Sequence, residues 1–314
     1  MTKIVSLEQI LKALPDIDVI GEIERGFIAL SEGKVEVPPV GELLFPEENG
    51  EFHVKYGAVH GDDVFVVKLA TGFFNNPRSG LPPFSGCMLV LSAKTGKVLS
   101  ILLEEGELTN HRTAAAGAVV ARHLAPYRLE VIGICGSGVQ ARMQAEYLRR
   151  VTHCRTLVLW ARNAARAAQA AHDIASMGYS VRVAASPEEV ASSAQLIVTT
   201  TAAHEPYLPA SCIKPGTHIT AMGSDTPEKN EIDPAILQRA ALVVADSIPQ
   251  CLLRGEIRTA IAAGILRKEN VVELGNVIVG KARRHSSDDI TVADLTGVAV
   301  QDIMIAKAVV ARII

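Results

Sequence analysis

Gly136, Gly138 and Ala141 stand in the order Gly-x-Gly-x-x-Ala, directly after the apolar run Val131-Ile132-Gly133-Ile134-Cys135. Small residues at that spacing have separable tasks. The first glycine permits a tight turn, the second lets backbone approach a pyrophosphate, and the alanine lets the following helix pack close to the strand. The helix start then offers unpaired N–H groups and the positive end of its dipole to phosphate. On its own the pattern also fits a glycine turn with no ligand. Here a strand precedes it, a helix follows, and a second strand comes about twenty residues on, which is the context of a dinucleotide cradle. The candidate cradle is Gly136, Ser137, Gly138, Val139, Gln140 and Ala141.

Lys68 sits in the otherwise apolar run Val64-Phe65-Val66-Val67-Lys68-Leu69-Ala70. Burying an ammonium there costs several kcal/mol unless it is paired, so an anionic partner or substrate is expected. The alternative is a lysine reaching solvent from an edge strand. Lys55 shares strand-face parity with His53 and either adds a second cation for a dicarboxylate or is a solvated strand lysine. The planar guanidinium of Arg112 is suited to hold a carboxylate bidentately, and at a helix start it also suits phosphate or backbone. Asp225 follows the run His218-Ile219-Thr220-Ala221-Met222-Gly223-Ser224. That is the carboxyl end of a strand, where open α/β sheets place their ligands. An aspartate there can move a proton if its pKa and geometry suit the step, and Asp-Thr-Pro is also a common turn. The nine histidines show no metal-ligand spacing, so no metal is expected.

Enzymes that prefer NAD place an acid after the second strand, against the ribose hydroxyls. This chain has Trp160-Ala161-Arg162-Asn163 instead. Arg162 either pairs with a 2′-phosphate, which tilts the expectation toward NADP, or is a solvated loop arginine.

The elements that must position these groups follow two grammars. Leu7, Ile10, Leu11 and Leu14 recur at helical spacing behind Ser6 as a cap, and Ile20, Ile23, Phe27 and Leu30 continue a second helix. From Glu51 to Leu103 the pattern becomes strands and hairpin turns. An alanine-rich helix from about Thr109 ends before Pro126 and links two domains. From Arg128 strands and helices alternate, which builds a parallel sheet covered on both faces. The tail from about Ala293 reads as a final helix returning to the first domain. The expected fold is α/β: a Rossmann-type doubly wound sheet over 121–295, and a smaller α+β substrate and dimerisation domain from 1–120 with 296–314.

At 314 residues the chain accommodates about two domains. No apolar run approaches the roughly 18 residues that cross a bilayer, and the N-terminal stretch lacks the apolar core of a secretory signal. A cytoplasmic location away from membranes is expected. The five cysteines include no Cys-x-x-Cys pair, which points to reduced thiols. With a net charge of −3 and no basic stripe, nucleic acid is not an expected partner.

Beyond the glycine motif, the segments GELTNHRTAAAGAVVARHLA, ITAMGSDTPEKNEID and DLTGVAVQD fall in the order and spacing of one family. The chain resembles the ornithine cyclodeaminase/μ-crystallin family over nearly its whole length. The segment VKLATGFFNNPRSGLPPFSGCMLVLSAKTG is most similar to the ectoine-utilisation and iminosuccinate reductase branch. The resemblance implies a homodimer formed through the strand-rich portion, with NAD(P)H as cofactor and a small imino or amino acid as substrate. It places the catalytic lysine on Lys68, the carboxylate-binding arginine on Arg112 and the acid/base aspartate on Asp225. It brings Thr200, Thr201, Ala202, Met222, Thr296 and Gly297 to the dinucleotide. Ser85 falls where a small hydroxyl touches substrate, or it serves turn chemistry. Many relatives carry an arginine just after the proline near position 39, where this chain reads Pro38-Pro39-Val40-Gly41. That departure weighs against ornithine chemistry. The expected activity is reduction of a small α-imino acid, iminosuccinate to aspartate foremost. A cyclodeaminase and a non-catalytic small-ligand binder are the rivals.

Overall fold

The computed structural model describes residues 1–313. The chain divides into two compact units, Met1–Arg112 with the segment from Val298 onward, and Thr113–Gly297. The division falls at 112/113 and 297/298, not at the 120/121 and 295/296 read from the sequence.

The first unit opens with β1 (Lys3–Val5), α1 (Leu7–Ala13) and α2 (Val19–Ser31). Ser6 and Gln9 form a reciprocal capping box on α1, and the Asp18 carboxylate caps α2 through the Gly21 N–H. These caps satisfy donors that a helix start leaves without partners. Six strands follow: β2 (Val35–Glu36), β3 (Gly41–Phe45), β4 (Gly50–Val59), β5 (Val64–Phe73), β6 (Phe84–Ser92) and β7 (Val98–Leu102). They form a sheet in the order β1-β7-β6-β5-β4-β2, with β3 also on β4. The pairs from β2 to β7 are antiparallel, and β1 adds in parallel to β7. One face buries Val66, Met88, Val90 and Leu102. The C-terminal helix α11 (Ala299–Ile313) packs on α2, β4 and β5.

The helix α3 (Glu107–Leu124) runs through the division. Its first turn is capped by Glu104, and Arg112 is tied to α11. Farther along, Gly117 lies so close to Gln144 that a Cβ would sit 2.1 Å from its Oε1. A continuous helix whose two ends pack on different neighbours is split by those contacts rather than by a break in its sequence.

The second unit repeats strand and helix. Its strands are β8 (Ile132–Cys135), β9 (Thr156–Trp160), β10 (Ser180–Val183), β11 (Leu196–Thr199), β12 (His218–Ala221), β13 (Leu242–Ala245), β14 (Val271–Glu273) and β15 (Thr291–Asp294). Its helices after α3 are α4 (Val139–Leu148), α5 (Ala164–Ser176), α6 (Pro187–Ser193), α7 (Ala235–Arg239), α8 (Ile248–Cys251), α9 (Gly255–Ala262) and α10 (Leu274–Ile278). All eight strands are parallel, in the order β10-β9-β8-β11-β12-β15-β13-β14. Strand order reverses direction between β8 and β11, the switch point at which doubly wound sheets bind ligands beyond their carboxyl ends. Ile197, Ile219, Val243 and Val292 are buried in the core of this unit, as near-continuous apolar strands covered on both faces must be. The segment expected to begin the final helix is β15, inserted between β12 and β13, and the helix starts only at Ala299. No helix among the described residues is long and apolar enough to cross a membrane.

Candidate functional site

Lys68 sits in the middle of β5, with β4 and β6 on either side, and only 2% of it is exposed. It is therefore no edge-strand lysine, and its anionic partner is Asp302 on α11. Lys68 Nζ lies 3.1 Å from Asp302 Oδ1, and Arg112 Nε lies 3.2 Å from the same oxygen. Arg112 Nη1 donates to Gln301 Oε1 at 3.0 Å. Two cations predicted from sequence thus converge on one buried carboxylate. Among the described residues neither Asp302 oxygen nor Arg112 Nε has a hydrogen bond of ordinary geometry, so charge and proximity dominate these contacts.

The electrostatics follow from burial and neighbours. Burial and the adjacent Arg112 push the Lys68 ammonium below the usual lysine range, against the pull of Asp302 and Glu104. Burial pushes Asp302 up, but Lys68, Arg112 and Lys55 together outweigh it and hold the carboxyl below its ordinary value. Lys55 is directly across from Lys68 in the β4–β5 register and half-buried, so it shares that face. Glu104 is fully buried, and its Oε2 accepts from the N–H groups of Leu108 and Thr109, which fixes the start of the helix bearing Arg112. Burial raises its pKa, with Lys68 opposing. Ser85 does not join this cluster. It pairs with Thr71, three residues from Lys68 along β5, so the alternation of a strand puts it on the opposite face, where it is exposed.

In the second unit, β8 turns into α4 through the glycine motif. Gly136 has φ +135°, donates its N–H to Trp160 O at 2.8 Å, and leaves room for Thr200, whose Oγ1 would lie 2.2 Å from any Cβ there. Gly138 caps α4 with no side-chain bond, and a Cβ on it would meet nothing within 4 Å. Ala141 is fully buried against the strand. Ser137 and Gln140 are half-buried and Val139 is exposed. A bare helix start beside an open glycine fits a pyrophosphate. Arg142 holds the turn from behind, donating from Nη1 to Ser137 O at 2.7 Å and Gly138 O at 3.0 Å. Arg162 is exposed just past β9.

The remaining residues lie past the carboxyl ends of β11, β12 and β15. Thr200 donates to Cys135 O from both its N–H and its hydroxyl, joining the loop after β11 to β8. Thr201 is bound to Glu231, and Ala202 is exposed. Met222 is buried, with its sulfur 3.2 Å from Gln144 Nε2. The Thr296 hydroxyl and the Gly297 N–H both donate to Asp246, which fixes this turn after β15. The Asp225 side chain is 50% exposed and 2.6 Å from Lys229 Nζ, while its carbonyl accepts from Arg254. Among the described residues no group of His, Cys, Asp or Glu side chains is placed to hold a metal ion.

Reading the sequence missed Asp302, Glu104, Arg142 and Glu231. Two of these carried a signal. Asp302 interrupts the apolar stripe of the tail helix just as Lys68 interrupts its strand, and Glu231 stands near the end of the segment ITAMGSDTPEKNEID.

The same architecture recurs in enzymes of known structure. A Rhizobium meliloti protein with a provisional dehydrogenase name is 45% identical over 95% of this chain and 91% of its own. An archaeal alanine dehydrogenase, solved as a dimer with bound NAD, superposes with a TM-score of 0.90 at 31% identity, covering 99% of this chain and 95% of that one. The iminosuccinate reductase of Paracoccus denitrificans, solved with NAD+, gives a TM-score of 0.87 at 29% identity over 99% and 96%. The sequence profile of the ornithine cyclodeaminase/mu-crystallin family matches residues 2–314, and the chain belongs to that family.

Proposed function

We propose that this chain is an NAD(P)H-dependent reductase of a small α-imino acid, with iminosuccinate to aspartate favoured, running in reverse as an amino-acid dehydrogenase. The observation that carries the reading is the buried convergence of Lys68 and Arg112 on Asp302, with Lys55 on the same sheet face. Lys68, Arg112 and Lys55 gather three cations here beside the buried acids Asp302 and Glu104, a setting that favours an anionic substrate.

Gly136 to Ala141 would hold the dinucleotide, whose chemistry when bound would be to supply a hydride to the imine carbon. Lys68 and Arg112 grip the α-carboxylate and hold the C=N bond in one orientation, which removes orientational freedom from the barrier. Lys55 takes the second carboxylate of a dicarboxylic imine. Asp225 delivers the proton to the substrate nitrogen, so that C=N plus hydride and proton becomes CH–NH. On this reading Thr200 to Ala202, Met222, Thr296 and Gly297 meet the nicotinamide half through backbone and shape. Arg162, exposed where an acid is absent, accommodates a 2′-phosphate and favours NADP. Michaelis constants for NADH and NADPH test this, and a strong NADH preference would reject it.

The relative solved as a dimer supports a homodimer here. So does the outer face of the first unit's sheet, which exposes Ile4 (66%), Tyr56 (39%) and Leu99 (41%) in one apolar surface. Light scattering tests it, and a monomer at micromolar concentration would contradict it. Use of a soluble dinucleotide and a small metabolite is in keeping with a cytoplasmic enzyme.

The deciding experiment is an NAD(P)H-oxidation assay over 2-oxo acids with ammonia, plus iminosuccinate generated in situ. Oxidation with iminosuccinate ahead of monocarboxylic imines is expected. Proline formed from ornithine with no net change in NADH would instead make the chain a cyclodeaminase. Tight ligand binding without turnover would make it a binding protein.

A further inference from the structure

Glu231, between β12 and α7, is fully buried and accepts five hydrogen bonds. Its Oε1 takes the Thr201 N–H at 2.6 Å, the Thr201 hydroxyl at 2.7 Å and the Tyr207 hydroxyl at 2.9 Å. Its Oε2 takes the Thr199 hydroxyl at 2.7 Å and the Gly223 N–H at 2.8 Å. The donors belong to two separate segments, one leaving β11 and the other leaving β12. These segments approach so closely that a Cβ on Gly223 would sit 2.1 Å from Thr201 O and 2.5 Å from Glu231 Oε2. A second buried acid, Glu256 on α9, accepts from the N–H groups of Glu231 and Ile232 and from the side chains of Ser224 and Asn230. The strut is therefore itself held from behind.

We infer that Glu231 is a positioning residue: it locks the loops after β11 and β12 to each other and so sets the seat of the nicotinamide half of the dinucleotide. The inference rests on the dinucleotide reading above. The chemistry requires a carboxylate in particular. Each Glu231 oxygen accepts one backbone N–H, from Thr201 or from Gly223, and backbone donors cannot rotate away. Glutamine has a single acceptor oxygen, so whichever way its amide sits, an NH2 group faces one of those N–H groups and that loop comes loose. Burial raises the Glu231 pKa, and the bonds from Thr199, Thr201 and Tyr207 work against that rise.

The test compares the intact chain with Glu231→Gln and Thr199→Val, the second removing one donor while keeping the side-chain shape. Affinity is measured for NADH and for ADP, which carries only the adenine half, together with kcat for the imine that wild type reduces. For Glu231→Gln, kcat should fall by about 10–100-fold and NADH should bind about tenfold more weakly, while ADP affinity stays within about twofold. Thr199→Val should show the same split at a few-fold. A general structural role would weaken ADP as much as NADH, and that result, or unchanged kcat in a folded Glu231→Gln, overturns the inference. If Glu231→Gln does not fold, Thr199→Val decides alone. A wild-type chain that binds neither nucleotide removes the dinucleotide reading itself, an outcome distinct from failure of the strut.

Discussion

Lys68 and Asp302 come from β5 and the C-terminal helix, more than two hundred residues apart, yet meet at 3.1 Å with 2% and 1% of their side chains exposed. Each is costly to bury alone, and the charge of one offsets part of the desolvation of the other. Arg112 shares the same oxygen, so Asp302 anchors both groups proposed to grip substrate.

Asp302→Asn removes the one carboxylate that both buried cations contact, leaving Glu104 as the remaining buried acid near Lys68. Stability should drop by about 3–5 kcal/mol, as when one partner of a buried pair is removed. Urea denaturation measures this, and a loss under about 1 kcal/mol would show that the pair matters little to the fold.

The glycine motif makes a paired prediction. Gly136→Ala forces a side chain into φ +135° and onto Thr200, so both stability and dinucleotide binding should suffer. Gly138→Ala has open space and an ordinary φ of −82°, so stability should change by no more than ~0.5 kcal/mol. Its methyl occupies the space through which a pyrophosphate approaches, and NAD(H) should bind at least about tenfold more weakly. Calorimetry of both variants, with and without nucleotide, checks this. Full affinity in Gly138→Ala would place the phosphates elsewhere.

The motif, the doubly wound sheet and the lysine in its apolar strand were all legible in the sequence, because each rests on local spacing that tertiary context did not override. Asp302 was harder to read, since a lone acid on an amphipathic helix gains meaning only when α11 is laid on β5. The sheet face of Ser85 was not legible either, because it follows from the β5–β6 register, which pairs Ser85 with Thr71. The short strands β14 and β15 carry three and four residues, too few for a period to separate strand from helix.

Burial, with help from Glu231, pushes the Glu256 carboxyl up from 4.5 to about 7, and hydrogen bonds only partly offset it. A raised folded-state pKa means the folded chain holds a proton that the unfolded chain has released between those values. Stability should therefore fall as pH rises from about 4.5 to 7, by on the order of 3 kcal/mol. Glu256→Gln, which cannot ionise, should flatten that slope. Urea midpoints at several pH values decide it, and an unaltered slope in the variant would assign the dependence to other groups.

Lys55 separates dicarboxylic from monocarboxylic substrates in the proposal. Lys55→Met should lower kcat/KM for iminosuccinate by about 10–100-fold, the worth of one charge-assisted bond, and leave monocarboxylic imines within about threefold. Equal losses on both classes would give Lys55 a general role rather than a selective one.

Lys68 is proposed to serve the chemistry while a separate cradle holds the dinucleotide. The most direct test of this division is NAD(P)H oxidation by wild type and Lys68→Ala on the best imine, with nucleotide affinity measured on the same samples. Turnover should disappear in the variant while its nucleotide affinity stays within about threefold of wild type. Turnover at the wild-type rate in folded Lys68→Ala would contradict it.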